Sequence, residues 1–217
     1  MSRYSSHDHY LDPASGVLKN RLGITDAATL EQAEAALVAT RSYELAQTPI
    51  KGRFDLAHLQ AIQCCLFGDL YEWAGELRTV DFSKGGQRFT HHAHIARAAA
   101  PIFKRLAEEK YLAGLDPAAF SNRAAHYLGE LNALHPFREG NGRAQREFVS
   151  HLAHAAGYYL AWENVKQPDM LQASIESFQG DTSKLAALIH ENLHTLDREA
   201  SGPAQSPKQK PLKPKLP

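Results

Sequence analysis

Apolar positions three and four apart recur along most of this chain, the pattern of helices with one buried face. Leu30, Ala33, Leu37 and Leu45 predict a first helix over 26–47, closed by Pro49 and Gly52. Leu56, Leu59, Ile62 and Leu66 follow the cap Asp55 and stop at Gly68. Ile95, Ala98, Ile102 and Leu106 continue the pattern over 94–110, where Pro101 predicts a kink or two short helices. Asp116-Pro117, a cap followed by proline at the first helical position, opens a helix through Phe120, Ala124, Tyr127, Leu128 and Leu131. Val149, Leu152, Ala153 and Ala156 carry another to Gly157, and 158–162 reads as a short extended piece. Gln167-Pro168 starts a helix through Leu171, Ile175 and Phe178 that ends at Gly180. Residues 181–183 cap a last one through Leu185, Leu188, Ile189, Leu193 and Leu196.

One stretch breaks the helical period. Leu77 to Phe82 is β-branched and aromatic, and Ser83-Lys84-Gly85-Gly86-Gln87-Arg88-Phe89 supplies a turn and a return strand. This predicts a small β-hairpin, the one β element the pattern supports. The chain therefore reads as an all-α bundle with one hairpin. A hairpin alone is barely stable, so it needs packing or a task.

Candidate chemistry concentrates in His135-Pro136-Phe137-Arg138-Glu139-Gly140-Asn141-Gly142-Arg143-Ala144-Gln145-Arg146, between two predicted helices. A loop that runs into a helix N-terminus points free N–H groups and the positive dipole end at one spot, which suits an anion. Gly140 and Gly142 let backbone approach a ligand. Arg143 and Arg146 share a helix face and offer two guanidinium forks to a di- or triphosphate. Glu139 stands where Mg²⁺ would bridge phosphate oxygens to a carboxylate. His135 titrates near neutrality and can take a proton from a hydroxyl. Phe137 would anchor the loop in the core.

These residues match, without departure, the signature of the Fic family, His-x-Phe-x-(Asp/Glu)-Gly-Asn-Gly-Arg-x-x-Arg. The resemblance extends in pattern from Asp12 to Leu196 and looks closest to the toxin-type members. It implies an all-helical protein that transfers AMP from Mg·ATP to a Ser, Thr or Tyr hydroxyl of another protein. His135 would be the general base, Glu139 the Mg²⁺ ligand, Gly140, Asn141 and Gly142 the anion hole, and Arg143 and Arg146 the phosphate holders. Family members that phosphorylate carry Lys where this chain has Gly142, so nucleotidyl transfer is expected. The hairpin, with Lys84, Gly85, Gly86, Gln87, Arg88 and Phe89, would be the flap that pairs with a target strand.

The resemblance also bears on control. Many members carry an inhibitory (Ser/Thr)-x-x-x-Glu-(Gly/Asn) helix, whose Glu pairs with the second motif arginine. Thr40 to Glu44 comes nearest here, but Leu45 follows. A separate antitoxin-like protein is therefore expected to bring its glutamate to Arg146. Toxin-type members modify the ATPase subunits of type II topoisomerases, the expected target. The same loop would serve another phosphate-containing donor, such as UMP, GMP or phosphocholine.

Composition narrows the picture further. The 217 residues, 43% hydrophobic, suffice for one sizeable core. With 24 basic and 24 acidic residues, no basic field points to nucleic acid. No apolar run has membrane-span length. Cys64 and Cys65 sit in an apolar helical pattern and read as buried small hydrophobes. Without a disulfide framework a reducing compartment, the cytoplasm, is expected, with export by a secretion system left open. A polar extension (1–24), a helical domain (25–198) and a disordered Pro/Lys-rich tail (199–217) make up the chain. His190-Glu191-x-x-His194 also spells a zincin pattern, which would require both imidazoles on one helix. His91, His92 and His94 read as polar surface with some metal-binding capacity. His151 and His154 are expected on the wet side of their helix.

Overall fold

The structure, a computed structural model, describes residues 8–196 except 82, 85 and 86 and the side chains of 84 and 87. The expected disordered tail, 199–217, lies outside the described residues. Helices form where carboxylate caps begin them. Asp26 accepts from the Thr29 N–H at the start of α1 (Ala27–Gln47), and Asp55 from the His58 N–H at α2 (Leu56–Phe67). Asp116 accepts from both Ala118 and Ala119 at α4 (Pro117–Leu134). Each satisfies an orphan donor and meets the positive helix end with negative charge.

α3 (Ile95–Glu108) runs unbroken through Pro101, so of the expected kink or two short helices the second does not form. Its buried face, Ile95, Ala99, Ile102, Phe103 and Leu106, outweighs the roughly 3 kcal/mol that an internal proline costs. After it come α5 (Asn141–Ala155), α6 (Gln167–Phe178) and α7 (Ser183–Glu191). A hairpin is present but shifted from the expected one: β1 (Ser83–Lys84) pairs antiparallel with β2 (Gln87–Arg88), Ser83 opposite Arg88, while the β-branched stretch 77–81 forms no strand. Its tip, Gly85 and Gly86, lies outside the described residues.

A second small sheet was not expected. β3 (Tyr158–Leu160), the anticipated extended piece, pairs antiparallel with β4 (Leu193–Thr195). The last helix thus ends at Glu191 rather than Leu196, because a short apolar run fits a strand as well as a helix.

The core lies between α4, α5 and their neighbours. Phe120, Leu131, Phe148, Val149 and Leu152 pack with Leu59, Ile62 and Phe67 of α2, Ile95 and Leu106 of α3, and Ile189 of α7. Each such side chain contributes about 1.5–3 kcal/mol on burial. The two helices that flank the motif loop are therefore the best anchored, and they fix its ends. The polar segment 8–24 also packs onto the body: Tyr10 is buried, and the Arg21 N–H donates to Leu70 O at 2.7 Å.

Two expectations about side chains are corrected. Cys64 is exposed and Cys65 half-buried, on the outer side of α2. His151 is buried, its Nδ1 3.3 Å from His58 Nε2, whereas His154 is exposed as expected. No helix among the described residues is long and apolar enough to cross a membrane.

Candidate active site

The motif loop is held from several sides. α4 ends at His135, which adopts the left-handed conformation (φ 45°, ψ 63°) and donates its N–H to Leu131 O at 3.0 Å. A non-glycine residue there is strained by about 1–3 kcal/mol and persists only when its surroundings dictate it. Here they do: His135 O accepts from Arg78 Nε at 2.8 Å, and Pro136 O from the Arg78 N–H at 2.9 Å. Phe137 is fully buried. Arg138 is buried too, its Nε 2.9 Å from Asp8 Oδ2. Gln63 Nε2 donates to Glu139 O at 3.2 Å. Gly140, at φ 78°, lies so close to Phe67 that an added Cβ would stand 2.2 Å from the ring, so only glycine fits.

Asn141 does something other than line the cup with its side chain. Its Oδ1 accepts from the Phe137 N–H at 2.9 Å and its Nδ2 donates to Phe137 O at 2.7 Å. The side-chain amide brackets the loop, so the residue can reach an anion only through its backbone N–H. The first backbone bond into α5 is Ala144 N–H to Gly140 O, at 3.0 Å. The N–H groups of Asn141, Gly142 and Arg143 thus belong to the unsatisfied first turn of a well-anchored 15-residue helix.

Both arginines border that turn. The Arg143 guanidinium lies over the Phe67 ring at 4.6 Å, pairs with Glu34 of α1, and has Glu139 Oε1 at 3.5 Å. Glu34 also accepts from the Tyr71 hydroxyl, and burial pushes that phenol's pKa well up. Arg146 Nη1 lies 3.3 Å from where a Cβ on Gly142 would be, so it reaches back over the helix start. Burial, and then the Arg143 charge, pulls the Arg146 pKa down, while Glu147 opposes this. No carboxylate forms an ion pair with Arg146 among the described residues. Two cations held this close, one of them desolvated, favour an anion between them.

His135 has a defined tautomer. Its Nδ1 faces Asn132 O at 3.2 Å, an acceptor, so Nδ1 carries a proton, which in the neutral ring leaves the lone pair on Nε2. The imidazole stacks on Phe89, ring centres 3.8 Å apart and planes 14° from parallel. The flap stem therefore touches the imidazole. Lys84 and Gln87 pair through backbone, and Arg88 is exposed. Glu139 Oε1 accepts from the Gly140 N–H at 2.8 Å, which turns the half-exposed carboxylate towards the cup.

Other motifs fare differently. His190 is at the end of α7, but His194 lies on β4 and stacks on Tyr159, so the zincin pattern does not form on one helix. His91 Nε2 and His92 Nδ1 lie 3.0 and 3.2 Å from the Asp81 carboxylate. His91 Nδ1 accepts from the Ala93 N–H, so its proton sits on Nε2 and points at Asp81. A cavity of about 450 Å³ opens beside Arg146, bordered by Tyr43, Glu147, Tyr159 and Trp162.

Sequence reasoning missed Asp8, Glu34, Gln63, Phe67, Tyr71 and Arg78. Glu34 and Arg143 are 109 positions apart and Asp8 and Arg138 are 130 apart, so no spacing signal could have joined them.

The family model for the Fic/DOC family matches residues 53–153. A "Probable protein adenylyltransferase Fic" of Salmonella typhimurium is 42% identical over 84% of this chain and 90% of its own length. "Protein adenylyltransferase VbhT" of Bartonella schoenbuchensis is 50% identical over 89% of this chain, which spans only 41% of that longer protein. The N-terminal Fic domain of a VirB-translocated effector from Bartonella quintana, solved with bound ADP, superposes with a TM-score of 0.82. It is 31% identical, over 86% of this chain and 95% of that one. With the signature loop, the helical frame and these relatives in agreement, the chain belongs to the Fic/DOC family.

Proposed function

We propose that this protein is a nucleotidyltransferase that moves AMP from ATP to a hydroxyl side chain of another protein. The observation that carries the reading is the tautomer of His135, with Nδ1 committed to Asn132 O, beside a helix-start cup flanked by two guanidinium groups. The target hydroxyl, laid along the flap backbone, gives its proton to His135 Nε2. Its oxygen bonds to the α-phosphorus as the bond to the leaving pyrophosphate breaks. The N–H groups of Asn141, Gly142 and Arg143 and the two guanidinium groups hold the charge that develops on the leaving group. Positioning and charge stabilisation supply most of such a reaction.

Glu139 suits Mg²⁺, which takes one or two carboxylates together with phosphate oxygens and water. One of its oxygens is tied to the Gly140 N–H and the carboxylate is partly exposed beside the cup. Bound there, the ion would neutralise phosphate charge.

ATP labelled at the α-phosphate tests the reading against ATP labelled at the γ-phosphate. Protein should take up the first label and not the second; uptake of γ-label would make the protein a kinase and refute nucleotidyl transfer. The same loop grips phosphate and makes no contact fixed by a base, so competition among labelled ATP, UTP and GTP decides the donor.

The lack of a carboxylate partner for Arg146 among the described residues supports control by a separate antitoxin-like protein. Glu44, in the nearest sequence match to an inhibitory helix, is bonded to Arg41 Nη1 at 2.7 Å. The partner would seat a helix in the cavity beside Arg146 and present a glutamate. Co-purification from the native operon tests this, and full silence of the enzyme without any partner would count against it. The proposed target is the ATPase subunit of a type II topoisomerase, modified at a tyrosine, which mass spectrometry after incubation with ATP would identify. The cytoplasm is the proposed setting; the Bartonella quintana relative is described as VirB-translocated, which makes export the alternative.

A further inference from the structure

Arg78 is the largest fully buried side chain among the described residues, and no part of the signature motif contains it. Its guanidinium reaches three places at once. Nε donates to His135 O at 2.8 Å, in the motif loop. Nη1 donates to Val80 O at 2.8 Å and to Asp81 Oδ1 at 3.2 Å, on the segment that leads into β1. Nη2 donates to Thr90 O, on the segment that follows β2. The backbone repeats the connection: the Arg78 N–H bonds to Pro136 O, and the Thr90 N–H to Ala133 O at 3.3 Å. Between these points Phe89 stacks on the His135 imidazole.

We propose that Arg78 is a positioning residue that couples the target-docking flap to the catalytic imidazole. Two features make the coupling physical. First, His135 sits in a left-handed conformation that its own side chain disfavours, so its placement depends on outside bonds, and Arg78 supplies those at His135 O and Pro136 O. Second, among the described residues the hairpin has two residues per strand, and the guanidinium fork joins its two legs at the base. A planar fork with five donors can hold acceptors in three directions; an ammonium group cannot match that geometry. A target strand that pairs with the flap thus settles the flap stem, Phe89 and the imidazole together.

Asp81 is the outer end of the same device. It is exposed, receives Arg78 Nη1 and the His92 N–H, and faces His91 and His92. It can be changed without opening a cavity.

The catalytic half of this inference rests on the reading of His135 as the base, and the structural half does not. Arg78→Lys and Asp81→Asn are therefore compared with wild type by hydrogen exchange and by transfer kinetics. Exchange should quicken together in the flap stem (residues 88–92) and the motif loop (residues 133–138), with α7 and β3 unchanged. Quickening in the flap stem alone, or in neither segment, overturns the coupling, and so does a uniform increase across the chain for both variants. In kinetics, Arg78→Lys should lower kcat roughly 10–100-fold, as misplacement of a reacting group does, with ATP affinity within about 2-fold. In a His135→Ala background Arg78→Lys should add almost nothing, because both changes act on one group; multiplying defects would mean a merely structural role. If wild type transfers no AMP, the reading of function fails while hydrogen exchange still decides the coupling.

Discussion

The phosphate cup and the flap are built on opposite plans. The cup is a short contiguous stretch closed on itself: Asn141 brackets Phe137, Gly140 fits against Phe67, and α5 is packed into the core along one face. Among the described residues the flap is two residues of strand on each leg, with exposed Ser83 and Arg88. A rigid cup suits a ligand of fixed shape, a triphosphate. A light hairpin that offers backbone suits a partner strand of variable sequence. On the proposed function, the difference assigns target choice to the flap and to surfaces around it rather than to the cup.

Changes in the cup should cost chemistry or stability, and changes at the pairing edge of the flap, away from its stem, should cost mainly target binding. The largest effect is expected from His135→Ala. It should slow AMP transfer by about 10²–10⁴-fold and leave ATP affinity unchanged in calorimetry. Gly140→Ala combines left-handed strain with overlap of the Phe67 ring, so urea unfolding should show a loss of about 2–4 kcal/mol. Asn141→Ala leaves the buried Phe137 N–H and carbonyl without partners, a loss of about 1–3 kcal/mol by the same assay. In the flap, Gln87→Pro removes a backbone donor from the ladder. It should raise the KM for the protein target about tenfold, an effect of roughly 1.4 kcal/mol, with melting temperature and ATP affinity unmoved. An equal loss of ATP affinity in that variant would mean that cup and flap are one unit.

The smallest effect belongs to neither region. Glu109 braces α4 through Arg123 and the Tyr127 hydroxyl, and the Arg123 hydrogen bond holds its pKa below the usual carboxylate range. A depressed folded pKa gives stability that is complete above the unfolded value and lost as pH falls through the folded one. Glu109→Gln should therefore remove under about 1 kcal/mol at neutral pH, as partly exposed pairs do. It should flatten the fall in melting temperature below about pH 4.3 and leave AMP transfer untouched.

What the sequence made legible follows the range of each signal. Asp26, Asp55 and Asp116 announce helix starts because a cap acts within three residues. The cup was legible because its parts are contiguous. The hairpin was legible from its paired glycines, whereas the β-branched stretch before it misled, since 77–81 forms no strand. Arg78, Glu34 and Asp8 were not, since each finds its partner only after the chain has folded. β4 was hidden because Leu193 and Leu196 extend a helical period by coincidence. Buried His151 was misjudged because polarity alone suggested solvent, while His58 waited 93 positions away to receive it.

The proposed chemistry requires that a helix-start cup hold the nucleotide while His135 activates a protein hydroxyl. The most direct measurement follows ATP affinity and α-labelled AMP transfer side by side in wild type and His135→Ala. Equal ATP affinity with transfer confined to wild type is the expected result. A His135→Ala protein that labels its target as fast as wild type, or a wild-type protein that fails to bind Mg·ATP, would contradict it.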